Sequence, residues 1–474
     1  MAEAGRKRNG GRPSRPRRPH GIRATAEGKS AQASPPGLLS RQLALALLEA
    51  VIVGRQTMDE AQIRLAGTAR FRDLSSRDRG FARLVAATTL RRYGSLSAVI
   101  GRFLNRPLPA TAVRTHLVLL ASAAQLLLVG TPAHAVLNLA VEQCRSDRAT
   151  ARFGGLVNAV LRKVARDGPN YLSEVDWPRI DIPDWQWARW VEHYGRATAE
   201  AIARASLTEA PLDLTVKGNP EQWAERLGGQ VLDTGSVRLP EPSRVEGLPG
   251  YAEGEWWVQD AAAALPARLL GNVSGLQVAD LCAAPGGKTA WLAAAGAHVT
   301  AVDRSPARVR RLESNLQRLR LQSAVAVITA DVRSWTPSVE FDIVLLDAPC
   351  TATGTIRRHP DLLHLKSPGD LSELARLQSE LLSRAARWVK PGGRLIFCTC
   401  SLEPEEGPEQ IVPFLSARPE FVRDPILTGE VSGHGEWLTE AGELRTLPFH
   451  AAGPATSNMG MDGFFAARLR RTSA

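Results

Sequence analysis

The chain has 474 residues and a mass of 51.2 kDa, more than one ordinary core holds, so two to four domains are expected. Hydrophobic residues make up 44% and charged residues 23%, which excludes a largely disordered chain. The formal net charge of +11 is uneven, with nine Lys and Arg against only Glu3 and Glu27 in residues 1–35, and this balance suits a polyanion such as nucleic acid as partner.

No apolar h-region follows the basic N-terminus, so no secretory leader is expected. The longest apolar run, within Leu117 to Val129, is interrupted by Ser122 and Gln125, and falls short of the roughly 20 residues of a membrane span. No membrane association is expected. Five cysteines cannot build a disulfide framework, so a reducing cytoplasm is the expected setting, and any cysteine that matters is a thiol.

Residues 1–35 are rich in Arg, Pro and Gly and read as a solvated, disordered basic tail. From Leu38 to about Asp167 the pattern is helical. Leu39, Leu43, Leu47 and Leu48 form one stripe. Ser75 and Ser76 precede a helix over Arg77–Arg92 with Phe81, Leu84 and Val85 expected inward. Ala112–Val129 is a strongly apolar helix ended by Gly130, Pro132 opens the next, and Phe153–Val164 follows. Residues 36–167 therefore read as an all-α bundle, in which His116 and His134 are ordinary packed or partly exposed histidines.

No tryptophan precedes Trp177, yet seven lie between it and Trp257. Within residues 168–272, Leu212–Lys217, Asn219–Leu227 and Ser236–Leu239 predict a small mixed α/β linker module.

From residue 273 strands and helices alternate. Leu276–Leu281, Val299–Asp303, Ala324–Asp331 and Phe341–Asp347 read as strands, and Pro306–Arg320 and Leu371–Val389 as helices. Lys390-Pro391-Gly392-Gly393 reads as a turn into a strand at Arg394–Cys400. This order predicts a parallel, doubly wound, Rossmann-like sheet over 273–474, with ligands outside the carboxyl ends of its strands.

The first strand runs into Asp280-Leu281-Cys282-Ala283-Ala284-Pro285-Gly286-Gly287-Lys288-Thr289. A phosphate-binding Walker loop needs glycine where Cys282 stands, and a dinucleotide fingerprint needs an earlier glycine. A backbone cradle for S-adenosylmethionine fits better: Cys282, Ala283, Ala284, Pro285, Gly286, Gly287 and Lys288 let the main chain approach the ligand, and a helix N-terminus faces its carboxylate. Asp303, Asp331 and Asp347 end the next three strands, where carboxylates can accept ribose hydroxyls and an adenine amino group. Each alone could be a turn residue; the set of four strand ends is the signal.

Four of the five cysteines fall in this region. Zinc spacing is absent, so no metal is expected. Cys282 and Cys398 read as small buried hydrophobes. Cys350, after Asp347-Ala348-Pro349, and Cys400, in Thr399-Cys400-Ser401, both lie on the ligand side of the sheet. Two thiols beside a methyl donor suit methylation of a pyrimidine carbon, because thiolate addition at C6 makes C5 nucleophilic.

The stretches DLCAAPGGKT (280–289), AVD (301–303), DAPCTATGTIRRHPD (347–361), KPGGRLIFCTCS (390–401) and GMDGFFAARL (460–469) resemble the RsmB/Sun family of RNA 5-methylcytosine methyltransferases. RFGGLVNAVLRKVA (152–165) resembles the NusB-like RNA-binding domain. The resemblance implies Cys400 as the C6 nucleophile and Cys350 as the partner assisting product release. Residues 282–288 with Asp303, Asp331 and Asp347 match the cofactor positions, and small-subunit rRNA is the implied partner of a monomer. Leu362-Leu363-His364-Leu365 matches less well. Two other readings stay open: a DNA cytosine-C5 methyltransferase attacking through Cys350, and a non-catalytic RNA-binding assembly or antitermination factor.

Overall fold

The computed structural model describes residues 35–240, 244–450 and 460–473, and the tail reading falls outside them up to residue 34. Seven helices come first: α1 (Leu38–Ile52), α2 (Met58–Ala66), α3 (Ser76–Arg91), α4 (Tyr93–Phe103), α5 (Val113–Leu127), α6 (Ala133–Arg145) and α7 (Gly154–Glu174). Local chemistry starts them. Thr57 and Glu60 form a reciprocal capping box on α2, and the Ser75 hydroxyl caps α3 by accepting from the Asp78 N–H. Val85 is buried and Phe81 half-buried, but Leu84 is 37% exposed and lines a cleft instead of the core.

Ala110–Leu127 is long and apolar enough to cross a bilayer, with mean hydropathy 1.3, yet Leu117, Leu119, Leu120, Ala123 and Ala124 are fully buried. α5 packs against α1, α3, α4, α6 and α7 as the central helix of the bundle. Helix α7 continues ten residues past the expected end at Val164, through Gly168 and Pro169. A side chain at 168 would put its Cβ 3.0 Å from Leu127 Cδ2, so this glycine lets α7 close on α5.

Helices α8 (Trp177–Ile180), α9 (Asp184–Tyr194) and α10 (Arg196–Ser206) follow. Trp190 of α9 is fully buried, with its indole N–H donating to Glu403 at 3.3 Å. Next come β1 (Leu212–Val216), α11 (Pro220–Leu227), β2 (Gln230–Val231), β3 (Val237–Leu239) and β4 (Trp256–Val258). They form an antiparallel sheet in the order β2-β3-β1-β4. A buried pair, Arg238 on Asp213 at 2.7 Å, locks β3 to β1.

Helix α12 (Ala261–Arg268) leads into the main sheet. Its strands are β5 (Gln277–Leu281), β6 (His298–Asp303), β7 (Val325–Thr329), β8 (Phe341–Asp347), β9 (Val389–Thr399), β10 (Phe421–Arg423), β11 (Leu444–Thr446) and β12 (Phe464–Arg471). Its helices are α13 (Gly287–Ala294), α14 (Pro306–Arg318), α15 (Leu362–Leu365), α16 (Pro368–Ala385) and α17 (Pro408–Ala417). The order is β10-β12-β9-β8-β5-β6-β7, with β11 beside β12. Strands β5 to β9 are parallel, as the alternation predicts, but β10, β11 and β12 are antiparallel and make the sheet mixed. Apolar clusters cover both faces, one around Ile343, Leu345 and Ile396, the other around Val344, Leu346 and Phe397.

Further boundaries differ from expectation, the helix expected over Leu371–Val389 among them, which runs over Pro368–Ala385. Lys390–Gly393 is not a turn before the strand but an excursion within β9, where pairing with β8 shifts between Phe341↔Val389 and Ile343↔Arg394. Strand β7 ends at Thr329, so Asp331 lies two residues beyond it. The chain reverses direction across the sheet between β5 and β8, and their carboxyl ends flank the crevice where this topology binds ligands.

Candidate active site

The cradle forms where β5 stops. Cys282 adopts φ +60, turning the main chain away from the strand, and the Ala283 N–H donates to Val302 O at 3.1 Å, tying the loop to β6. Gly286 at φ +100 starts α13, and a Cβ there would meet Leu312 Cδ1 at 2.2 Å, so only glycine fits. Asp303 is buried at the end of β6. Its carboxylate accepts from the Ala284 N–H at 3.2 Å and the Ser305 N–H at 3.0 Å. Lys288 reaches across the crevice to Asp347 at 2.8 Å and lies 4.9 Å from the Phe464 ring centre. Burial works to lower the Lys288 ammonium, but Asp347 outweighs it and holds the group above its ordinary value.

Asp331 stands apart on the rim. Its carboxylate is paired with Arg333 at 2.6 Å, and that hydrogen bond holds it down at about 2. Asp280, which sequence reasoning passed over although it opens the same motif, is fully buried under the cradle. One oxygen accepts from the Thr289 hydroxyl at 2.5 Å; the other has no hydrogen-bond partner among the described residues. Burial pushes this carboxyl up to about 7.

The parallel pairing of β8 with β9 sets Asp347 opposite Cys398 and brings the residues just beyond into contact. Cys350 Sγ and Cys400 Sγ lie 3.5 Å apart, both half-buried. The hydrogen bond to Cys400, with burial, holds the Cys350 thiol well above its ordinary value. Cys398 is fully buried with its sulfur 3.6 Å from Asp347, and burial raises it strongly. Burial likewise pushes Cys282 to about 12, so neither is an available thiolate.

Backbone contacts clamp the two thiols. The Gly354 N–H donates to Cys400 O at 3.0 Å, and the Gly463 N–H donates to Gly354 O at 2.9 Å. Arg358 pairs with the buried Asp462 and lies within electrostatic reach of Cys400. Burial lowers its guanidinium, but Asp462 and Asp260 outweigh this and hold it up. Sequence reasoning missed Arg358 as a charge beside the thiols, though RRHPD displayed it. It also missed Glu406, whose buried carboxylate has no motif of its own.

The loop Leu362–Leu365 faces the bundle. The His364 Nε2 is 2.9 Å from Leu90 O, its ring packs 5.1 Å from that of Tyr93, and Arg55 bonds the His364 and Leu365 carbonyls. The Arg91 guanidinium donates to Arg357 O at 3.0 Å, and the Met58 N–H donates to Asp361 at 3.0 Å.

The donor set suits S-adenosylmethionine: close main chain at Cys282–Gly287, a buried carboxylate at Asp303, and an unsatisfied oxygen on Asp280. A parallel sheet carrying such a cradle at its reversal point defines an S-adenosylmethionine-dependent methyltransferase. Residues 267–470 match the family model described as 16S rRNA methyltransferase RsmB/F, and residues 39–166 match the NusB family. The small-subunit rRNA methyltransferase B of Cronobacter sakazakii is 35% identical over 412 residues, covering 84% of this chain and 91% of that protein. Its Xanthomonas campestris counterpart is 34% identical over 468 residues, covering 94% and 100%. The crystal structure of PH0851 superposes with a TM-score of 0.71 at 25% identity, covering 93% of this chain and all of that one. The fold is also that of NSun6 from Pyrococcus horikoshii, at a TM-score of 0.51, 18% identity and coverage of 62% and 99%. The chain belongs to the RsmB/F family of 16S rRNA methyltransferases.

Proposed function

We propose that this protein forms 5-methylcytosine in small-subunit rRNA through a covalent bond between Cys400 and C6 of the target base. The observation that carries the reading is the 3.5 Å contact between two thiols at the carboxyl ends of adjacent parallel strands, beside the cofactor cradle. S-adenosylmethionine supplies the methyl group when bound. Residues Cys282–Lys288 with Asp303 would hold it, Asp331 would reach its adenine edge from the rim, and Asp347 faces the space between donor and base. In this reading residues 36–167 bind RNA, 168–272 link and add a small RNA-binding module, and 273–474 carry the chemistry.

Cys400, as thiolate, adds to C6, and the ring's electrons become available at C5 for the methyl. Asp347, held by Lys288, accepts from the N4 amino group and orients the ring, while the Lys288 ammonium beside it offsets the negative charge that develops on the base. The C5 proton then passes to Cys350 or a nearby base, the C6–sulfur bond breaks, and Cys400 recovers its electron pair. The base must be unpaired or flipped out to reach this depth, at a cost of a few kcal/mol. The scheme needs neither a metal nor a second chain.

Cys400→Ala should abolish methylation while retaining cofactor binding by calorimetry. Cys350→Ala should accumulate a covalent enzyme–RNA adduct visible on a denaturing gel. Reversed phenotypes would instead fit attack by Cys350, the DNA-enzyme arrangement. Bisulfite sequencing of small-subunit rRNA, with and without the protein, should show one cytidine losing protection. A methyl-free rRNA profile that the protein does not change would leave only the binding-factor reading.

A further inference from the structure

Glu406 lies in the turn that follows Thr399-Cys400-Ser401 and is fully buried behind the two thiols. Its two oxygens accept from the Thr351 N–H, at 2.9 and 3.1 Å, and one accepts from the Gln378 side-chain N–H at 3.0 Å. The Thr351 hydroxyl bonds the same carboxylate. Burial raises the Glu406 carboxyl above its ordinary value, and these donors work against that shift and favour its ionised form. Gln378 also donates to Pro349 O at 2.9 Å. The residues on both sides of Cys350 are thus held, Pro349 by Gln378 and Thr351 by Glu406. The Thr351 hydroxyl lies 3.2 Å from that of Ser401, the neighbour of Cys400, and Ser401 lies 3.3 Å from the Thr353 hydroxyl. One buried network therefore joins the residues that follow each thiol.

We propose that Glu406 is a positioning residue that decides which sulfur attacks: it fixes Cys350 against Cys400 and, as a buried negative charge behind Cys350, keeps the shared proton there. This rests on the reading of Cys400 as nucleophile. Among the described residues, the charged groups around the pair include Glu406 behind Cys350 and, on the Cys400 side, Arg358 with its partner Asp462, while Arg445 bonds the Ser401 carbonyl. Glu406 biases the pair toward a protonated Cys350, because a carboxylate disfavours a nearby thiolate. Cys400 loses its proton to solvent and its sulfur supplies the electron pair of the new bond to C6. Cys350 retains its own proton through the attack and the methyl transfer and gives it up to solvent before release. The C5 proton then moves to the Cys350 sulfur or a nearby base, the C6–sulfur bond breaks, and its electron pair returns to Cys400.

The test is iodoacetamide labelling of the full-length protein across a pH series, with both cysteines quantified by peptide mass spectrometry. In the unaltered protein Cys400 should label first. Glu406→Gln keeps the volume and can still accept from the Thr351 N–H, but it lacks the charge. It should reduce the Cys400-to-Cys350 labelling ratio about tenfold, the effect of one unit of relative acidity, and shift the acidic limb of the kcat profile. Glu406→Asp, which keeps the charge one methylene further back, should give an intermediate ratio and decides the matter should the Gln variant not fold. A merely structural role would slow or speed both thiols together, and an unchanged ratio in a folded variant would overturn the proposal. Cys400→Ala separates the two levels: if it still methylates RNA, the nucleophile reading fails; if it is dead while the Glu406→Gln ratio is unchanged, only the role of Glu406 fails.

Discussion

The two thiols are alike in chemistry and differ only in what surrounds them, and the same holds for the aspartates. Asp303 spends its oxygens on main-chain amides, Asp331 is captured by an arginine near the surface, and Asp280 sits in the interior with one oxygen unsatisfied. The consequence for Asp280 is a stability that depends on pH. Its carboxyl titrates near 7 in the folded chain against an ordinary value of 3.8 when exposed to water, so the folded state holds the proton more tightly. That contribution is fully present below the unfolded value and is lost as pH rises through about 7. Asp280→Asn, which keeps an acceptor for Thr289, removes the dependence. Urea unfolding at pH 5 and pH 8 should show the variant gaining on the unaltered protein at the higher pH, by about 2.7 kcal/mol, since only the roughly two units between pH 5 and the folded value contribute. Parallel stability curves at the two pH values would contradict the assignment of the buried proton.

At the scale of elements, the site depends on main-chain contacts that leave no room for side chains. A Cβ on Gly354 would fall 1.9 Å from Gly463 O and 2.6 Å from its carbonyl carbon, both backbone atoms that cannot swing away. Gly354→Ala should therefore separate the 351–355 segment from the start of β12 and remove the support under Cys400. We expect a loss of about 3 kcal/mol in stability and a fall in kcat larger than the change in donor affinity, measured by thermal unfolding and steady-state methylation. A variant with the stability and turnover of the parent would show that this contact does not hold the thiol loop. The same scale explains why Leu362–Leu365 departs from the motif that precedes it: its side chains and carbonyls answer to Arg55 after α1, to α3 and to α4 rather than to the sheet.

Across the whole molecule, Gly37–Ala474 form one compact unit, and the helical bundle is docked on the segment that carries Arg357 and Arg358. The bundle thus helps shape the loop that follows Cys350 as well as standing beside it. Arg91→Ala removes a buried charged donor from the Arg357 carbonyl while leaving the cradle untouched. The KM for rRNA should rise about tenfold, equivalent to roughly 1.4 kcal/mol, with the KM for S-adenosylmethionine unchanged. Equal changes in both constants would point to general loosening instead.

Short-range signals were enough for the loop that follows β5, the helix cap at Ser75 and the parallel strands, because turn chemistry, periodicity and motif spacing act over a few residues, and they singled out Cys350 and Cys400 as candidates. Tertiary structure alone decided that sulfurs fifty residues apart touch, that β12 enters the sheet antiparallel, that Lys288 is spent on Asp347, and that Glu406 stands behind the pair. Those facts depend on which strands become neighbours and in what register, and neighbours are chosen by burial summed over the whole core, a quantity no local stretch of chain contains.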